Sequence, residues 1–196
     1  MKTIIDIKPN FISHEICDNI ISLANPILSE MATLGVGKHS GRVADGTWLE
    51  SSQKDVQVIS NLVADLSGYS VENQEKLHVV KYGIGGKYDA HYDFFVPDTN
   101  YFDSVMSQGG QRVQSWLIYL NDDFEGGETD FPKEQSRVIP QKGTIIGWNN
   151  TLGEGKLNWN SFHAGMPVLS GTKWIGVIWV REYTFGTRPQ RNTIWT

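Results

Sequence analysis

Hydrophobic positions along the chain recur at two different periods. Over Ser13–Ala24, the apolar residues Ile16, Ile20, Leu23 and Ala24 return every three or four positions. This predicts a helix that Ser13 can cap and Pro26 ends. Over Gln53–Leu66, Val56, Ile59, Leu62, Val63 and Leu66 form one stripe. Ser52 and Asp55 resemble a capping pair there, and Gly68 marks the stop. Both helices are amphipathic, so each must cover the face of something else. From Leu77 onward the runs are short and strand-like: LHVVKY (77–82), YDFFV (92–96), RVQSWLIYL (112–120), ETDF (128–131), SRVI (136–139), GTIIGW (143–148), NSFHAG (160–165) and KWIGVIWV (173–180). Turn residues separate them at Gly83–Gly86, Asn121–Gly127, Gln141–Gly143 and Leu169–Gly171. Short strands following two helices predict a mainly β sandwich or jelly roll with N-terminal helices on one side. The polar stretch 97–110 reads as a long loop between two strands, placed to close over a substrate. The tail from Thr184 to Thr196 reads as irregular.

Composition narrows the class. A chain of 196 residues fits one domain and can bury about two-thirds of its unfolded surface without covalent staples. Cys17 is the single cysteine, which excludes a disulfide scaffold and suits a reducing, cytoplasmic compartment. The formal net charge of −5 offers no basic field for nucleic acid or an anionic membrane, so neither is expected as a partner. No apolar run approaches the ~18 residues of a membrane span. The opening MKTIIDIKPNFIS is broken by Asp6, Lys8, Pro9 and Asn10, and so lacks the apolar stretch of a signal peptide. Aromatic residues (Trp 7, Tyr 7, Phe 8) and the 20 glycines suit strands joined by tight turns.

Candidate chemistry begins at His91 and Asp93. Two residues apart on an extended chain, both side chains point to one face and can meet one metal ion. Alone, such a pair is a weak motif, because a hydrogen-bonded surface pair looks the same. His163, in the strand-like NSFHAG, strengthens it. Two imidazoles and a carboxylate form a facial triad that leaves three positions open on octahedral Fe(II), enough for a bidentate 2-oxo acid and O2. Ten residues after His163 comes Lys173, which shares a strand face with Ile175, Val177 and Trp179. A lysine on an inward face is costly unless an anion meets it, and a dicarboxylic co-substrate would be such an anion. The alternative is a lysine at the strand mouth that reaches water.

Three blocks then carry a specific resemblance. LHVVKYGIGGKYDAHYDFF, RVQSWLIYLNDDFEGGETDFP and VIPQKGTIIGW with SFHAGMPVLSGTKWIGVIWVRE occur in order, and FISHEICDNIISLA and GRVADGTWL precede them. From about Phe11 to Glu182 the chain resembles prolyl 4-hydroxylases, which are Fe(II)/2-oxoglutarate-dependent dioxygenases. The E-G-G-E-T-x-F-P turn and the spacing of H-x-D, the distal His and the Lys are the most specific parts. The resemblance implies a double-stranded β-helix (jelly roll) with N-terminal α-helices on one side. It implies one dioxygenase domain over 1–196, with a catalytic core at about 77–182. It implies Fe(II) held by His91, Asp93 and His163, with 2-oxoglutarate, O2 and ascorbate as its partners in chemistry. Lys173 matches the residue that binds the distal carboxylate of 2-oxoglutarate, with Tyr119 and Thr129 as helpers and Tyr82 lining the same pocket. Trp179 matches an aromatic near the target, and Arg42, Trp48 and Arg112 lie in blocks associated with peptide binding. The implied reaction hydroxylates prolyl residues of a peptide or protein and yields succinate and CO2.

The chain departs from the family where Gly147, Trp148, Asn149 and Asn150 replace an apolar continuation. It also lacks the accessory peptide-binding domain of animal collagen-modifying enzymes, which suggests a standalone enzyme of bacterial or viral style. Other readings stay open: the same chemistry on a free amino acid, another side chain or a small molecule; a metal-stabilised jelly-roll binding module without turnover; or zinc hydrolysis, for which Asp89 and Glu128 are the nearest bases. His14, His39 and His78 have no assigned role, nor do Arg188 and Arg191 in the tail.

Overall fold

Helix and strand positions follow the two periods in a computed structural model that describes residues 5–30, 41–189 and 194–196. His39 and Arg191 lie outside the described residues. The elements are β1 (Ile5–Lys8), α1 (His14–Ala24), β2 (Ser29–Glu30), β3 (Asp45–Leu49), α2 (Lys54–Ser67), β4 (Leu77–Tyr82), β5 (Tyr88–His91), α3 (Phe102–Met106), β6 (Arg112–Tyr119), β7 (Phe124–Gly126), β8 (Thr129–Phe131), β9 (Ser136–Val138), β10 (Ile145–Asn149), β11 (His163–Gly165), β12 (Val168–Gly171) and β13 (Lys173–Arg181). A large antiparallel sheet has the order β1-β10-β6-β13-β4-β3-β2. A second runs β5-β11-β8-β9, and β12 pairs with β7.

Alternation along each strand divides the large sheet into two faces. Trp174, Ile178 and Val180 of β13 join Leu77, Val79, Trp116 and Ile118 beneath the apolar stripes of both long helices, represented by Ile20, Ile59 and Val63. Ile175, Val177 and Trp179 join Val80, Tyr82, Leu117, Tyr119 and Ile146 on the opposite face, against Phe131 and Val138 of the second sheet. Each fully buried aliphatic side chain contributes about 1.5–3 kcal/mol. Helices therefore cover one side and the second sheet covers the other, as the jelly-roll expectation requires. Cys17 sits within the helix-side core, where burial pushes its thiol up to about 11.

The helix ends differ in how they are held. Ser13 caps α1 by accepting from the Ile16 amide at 3.3 Å. Past α1 the chain enters a 3₁₀ turn, Asn25–Ile27, in which Pro26 is tolerated because it falls in the first turn. The expected Ser52–Asp55 capping pair does not form. Gln53 is the N-cap without a side-chain bond, and Asp55 instead accepts from Asn19 at 3.0 Å, tying α2 to α1. Gly68 closes α2 in the left-handed conformation at φ 74°.

Several expected strands are corrected. YDFFV is not a strand: the pairing lies just before it, over Tyr88–His91, and the chain then bends away. Its apolar alternation serves a different cluster, because Tyr92 and Phe94 stack on each other and both meet Trp159 edge-on. NSFHAG contributes only His163–Gly165, after a 3₁₀ turn over Trp159–Ser161. Two segments expected as turns hold β7 and β12, which pair with each other. The stretch 97–110 contains α3, and its later half is fastened: the buried Arg181 guanidinium donates to the Val105 carbonyl at 2.5 Å and to Gln108 at 3.0 Å. No regular element falls in the described part of the tail. Its end is docked all the same, with Trp195 buried against Phe94 and Leu157 and the Leu157 amide donating to the Thr196 carbonyl at 2.8 Å.

Gly147 has a packing reason. A Cβ at this position would lie 2.4 Å from the Trp116 ring on the adjacent strand. Gly147→Ala should therefore cost about 1–3 kcal/mol through overpacking, read as a lower urea midpoint with an unchanged slope.

Candidate active site

The second sheet and the bend after it bring three donors together. His163 opens β11 and pairs directly with His91, the last residue of β5. Asp93 lies two residues on, within the bend, and is buried. The Nε2 atom of His91 is 3.5 Å from Asp93 Oδ1, and that of His163 is 3.6 Å from Asp93 Oδ2. The candidate ligand atoms all lie within 4.8 Å of one another, a span that one ion with bonds of about 2 Å can bridge. Asp93 lies just past the end of β5, and its carboxylate meets the His91 side chain, as the H-x-D spacing suggested.

The outer contacts fix what each donor offers. His91 Nδ1 is 2.8 Å from the Asp89 carbonyl, and His163 Nδ1 is 2.8 Å from the Ser161 carbonyl. A carbonyl only accepts, so each Nδ1 carries a proton, which leaves Nε2, the atom facing Asp93, as the ligand atom. Burial pushes the His163 imidazole down to about 4, so it is neutral at ordinary pH. For Asp93, burial acts upward, yet the positive charge beside it when His163 is protonated, with His91 and Arg112 acting the same way, outweighs burial and holds the carboxyl below its usual range. Two imidazoles and a carboxylate suit a first-row divalent cation such as Fe(II).

Beside this trio is a cationic socket. Lys173, the first residue of β13, is 2 % exposed, which excludes a lysine reaching water at a strand mouth. It donates to the Gly127 carbonyl at 2.6 Å and lies over the rings of Tyr82 and Tyr119, 5.3 and 5.7 Å from their centroids. Gly127, in the E-G-G-E-T turn, has φ 65°, and a Cβ there would meet Lys173 Cδ at 2.9 Å. The turn sequence is thus shaped by the lysine stem. Burial pushes the Lys173 ammonium down to about 8, partly opposed by Glu128. Tyr119 Oη and Thr129 Oγ1 are 2.6 Å apart. Two hydroxyls sharing one bond leave one hydrogen free to donate. Burial raises Tyr119 further above its ordinary value, so its phenol keeps its proton.

His91, Asp93, His163, Lys173, Tyr82, Thr129, Arg42 and Trp179 line one cleft, whose walls include Leu117, Ile175 and Val177. Arg42 lies over the Tyr88 ring at 4.7 Å. Arg112 stacks on Trp179 at 3.8 Å, with its fork on Glu75 at 2.7 and 2.8 Å. Trp48 stacks on His78 at 4.2 Å and remains partly exposed.

Three neighbours of the trio were given no role from sequence. The Tyr88 ring stacks on His91 at 3.6 Å. Ser115 and Asn150, both fully buried, stand behind Asp93. Ser115 is legible by parity, as the polar position four before Tyr119 on the inward face of β6; Asn150 stood out only as part of the departure at 147–150. Trp148, noted from sequence only as a departure, lies edge-on to His163 at 4.7 Å.

Comparison with known proteins places these residues in context. A family model described as 2OG-Fe(II) oxygenase superfamily matches residues 77–181. The chain is 34% identical over 163 residues to the Homo sapiens prolyl 4-hydroxylase subunit alpha-1, covering 82% of this chain but 29% of that protein. It is 33% identical over 201 residues to prolyl 4-hydroxylase 5 of Arabidopsis thaliana, covering 90% of this chain and 67% of the relative. Among solved structures, the viral collagen prolyl hydroxylase of Paramecium Bursaria Chlorella virus-1 superposes with a TM-score of 0.73 at 28% identity, covering 90% of this chain and 95% of that one.

Proposed function

The chain belongs to the 2OG-Fe(II) oxygenase superfamily, with prolyl 4-hydroxylases among its homologues, and from that premise we propose that it hydroxylates prolyl residues in a peptide or protein. The observation that carries this reading is a buried lysine and Thr129, whose hydroxyl is paired with that of Tyr119, in one cleft with a His-Asp-His trio. A binding module has no use for a second, anion-receiving site at that position. A zinc hydrolase would want a general base there, and the cleft offers a lysine.

His91, Asp93 and His163 would hold the metal through Nε2, a carboxylate oxygen and Nε2. Bound Fe(II) would supply the redox chemistry, coupling decarboxylation of 2-oxoglutarate to succinate and CO2 with insertion of one oxygen atom from O2 into a C–H bond. Lys173 keeps its proton when a carboxylate meets Nζ, and the free hydroxyl hydrogen of the Tyr119–Thr129 pair supplies a second donor. Leu117, Ile175 and Val177 make the walls apolar and exclude water. Ascorbate is proposed as the reductant that keeps the metal ferrous. At the cleft's rim, Trp179 with Arg112 behind it, Arg42 over Tyr88, and exposed Trp48 offer flat faces. Proline rings pack on such faces in extended peptides.

The test is anaerobic titration of the protein with Fe(II) and 2-oxoglutarate, followed by aerobic turnover with proline-containing peptides. A visible charge-transfer band on mixing is expected, followed by succinate release and addition of one oxygen atom to the peptide by mass. A band without peptide oxidation, alongside oxidation of free amino acids, would remove the prolyl assignment. Absence of the band with iron bound would remove the oxygenase assignment.

A further inference from the structure

Behind Asp93 a two-residue chain of hydrogen bonds runs into the large sheet. Ser115 Oγ is 2.6 Å from Asp93 Oδ2, and Asn150 Nδ2 is 2.8 Å from Ser115 Oγ. Asp93, Ser115 and Asn150 are all buried, with Ser115 and Asn150 fully so. The proton order follows from donor chemistry. An ionised carboxylate only accepts, so the short contact with Asp93 requires the Ser115 hydroxyl to donate. The serine oxygen must then accept from Asn150, which sets the amide with its nitrogen toward Ser115. Asn150 is itself fastened at both backbone groups: its amide donates to Val113 at 2.8 Å, and its carbonyl accepts from Asn158 at 2.9 Å. Among the described residues its side-chain oxygen has no hydrogen-bond partner, so the Nδ2–Ser115 bond is what holds the amide's orientation.

We infer that Ser115 and Asn150 are positioning residues for the metal site: Asn150 aims the Ser115 hydroxyl, and that hydroxyl holds the Asp93 carboxylate facing both imidazoles. This rests on the metal reading of His91, Asp93 and His163. Without the hydroxyl, the Asp93 carboxylate loses its hydrogen bond to β6, while Gln111 still holds the Phe95 backbone of the bend at 2.7 and 2.9 Å. The carboxylate must then be ordered by the metal at the moment of binding. Outer-shell partners of metal ligands typically change metal affinity by about 10–100-fold.

Free Mn2+ counted by electron paramagnetic resonance tests the inference on the full chain without 2-oxoglutarate. Ser115→Ala and Ser115→Val should weaken Mn2+ binding by about 10–100-fold, while Ser115→Thr stays within about threefold of the unmodified protein. Thr and Val share a shape, so their difference isolates the hydroxyl from packing. Asn150→Ala should weaken binding in the same direction and by less, since the serine can still find Asp93. Thermal midpoints of the metal-free variants identify any that fail to fold. Equal affinity across Ala, Val and Thr, or equal loss in all three, overturns the inference while the metal site stands. If the unmodified protein binds no Mn2+, or His163→Ala binds it as well, the metal reading falls and takes the inference with it.

Discussion

Replacing His163 by alanine should remove metal binding and reduce turnover by about a thousandfold or more, the scale of losing one member of a group that acts as a unit. His163 is buried between Trp148 and Phe131, with ring centroids at 4.7 and 5.7 Å. Water cannot readily take the place of its Nε2 in that setting. Its neutrality matters as much as its position. With the imidazole pushed down to about 4, protons do not compete for Nε2 until the solution is far more acidic than neutral. Truncation also leaves a cavity, so His163→Gln serves as the fuller-volume companion. Both variants should fold when metal-free and both should fail to retain Fe(II) or Mn2+ on equilibrium dialysis. Retention of the metal with unchanged affinity in either would show that His163 is not a ligand.

Lys173→Met should separate stability from co-substrate binding. In the ligand-free protein the ammonium costs the fold: its value falls from 10.5 to about 8, a difference worth about 3 kcal/mol. Between pH 8 and 10.5 the unfolded chain holds a proton that the folded chain has lost, so stability rises with pH across that window. Below about 8 the cost is present in full. The methionine variant should lose this rise and be at least as stable at pH 7, less the bond to Gly127, which offsets about 1 kcal/mol. Binding should move the other way. Truncating one partner of a buried charge pair costs about 2–5 kcal/mol, roughly 30-fold to several-thousand-fold in 2-oxoglutarate affinity. In the unmodified protein that affinity should fall as pH rises above about 8, because the socket must then acquire a proton to receive a dianion. Urea melts against pH and calorimetric titration of the Mn2+-loaded protein measure the two effects. A variant that is destabilised yet binds 2-oxoglutarate normally would show Lys173 to be a packing residue.

What could be read from the sequence follows from which residues carry local signals. The helices over 13–24 and 53–66 were legible because a 3.6-residue period and a terminal Gly68 are local facts. So were the long central strands, where eight or nine consecutive residues are dominated by one requirement, burial. Tyr88–His91 was not, because YDAH is short, polar and half-exposed, and its strand partner β11, with His163 opposite His91 and Gly165 opposite Tyr88, lies seventy-odd positions away. YDFFV misled for the converse reason: Tyr92 and Phe94 are apolar for an aromatic cluster with Trp159, not for a sheet face. Lys173 was legible as a charge on an inward parity. Asn150 was visible only as part of the departure at 147–150, since its partner Ser115 is remote in sequence.

The position of β13 has a kinetic meaning. It is central to the large sheet, flanked by β4 and β6, yet it follows both in the chain. As synthesis proceeds at about 5–20 residues per second, β4 and β6 wait with open edges until Lys173–Arg181 emerges to pair with each. Pairings so distant in sequence are slow to close, and that exposure favours a chaperone's attention. The strand that ends the wait also carries the lysine at its first residue. A nascent chain that ends before Lys173 has the His-Asp-His trio without the lysine, so the strand that completes the sheet also completes the proposed site.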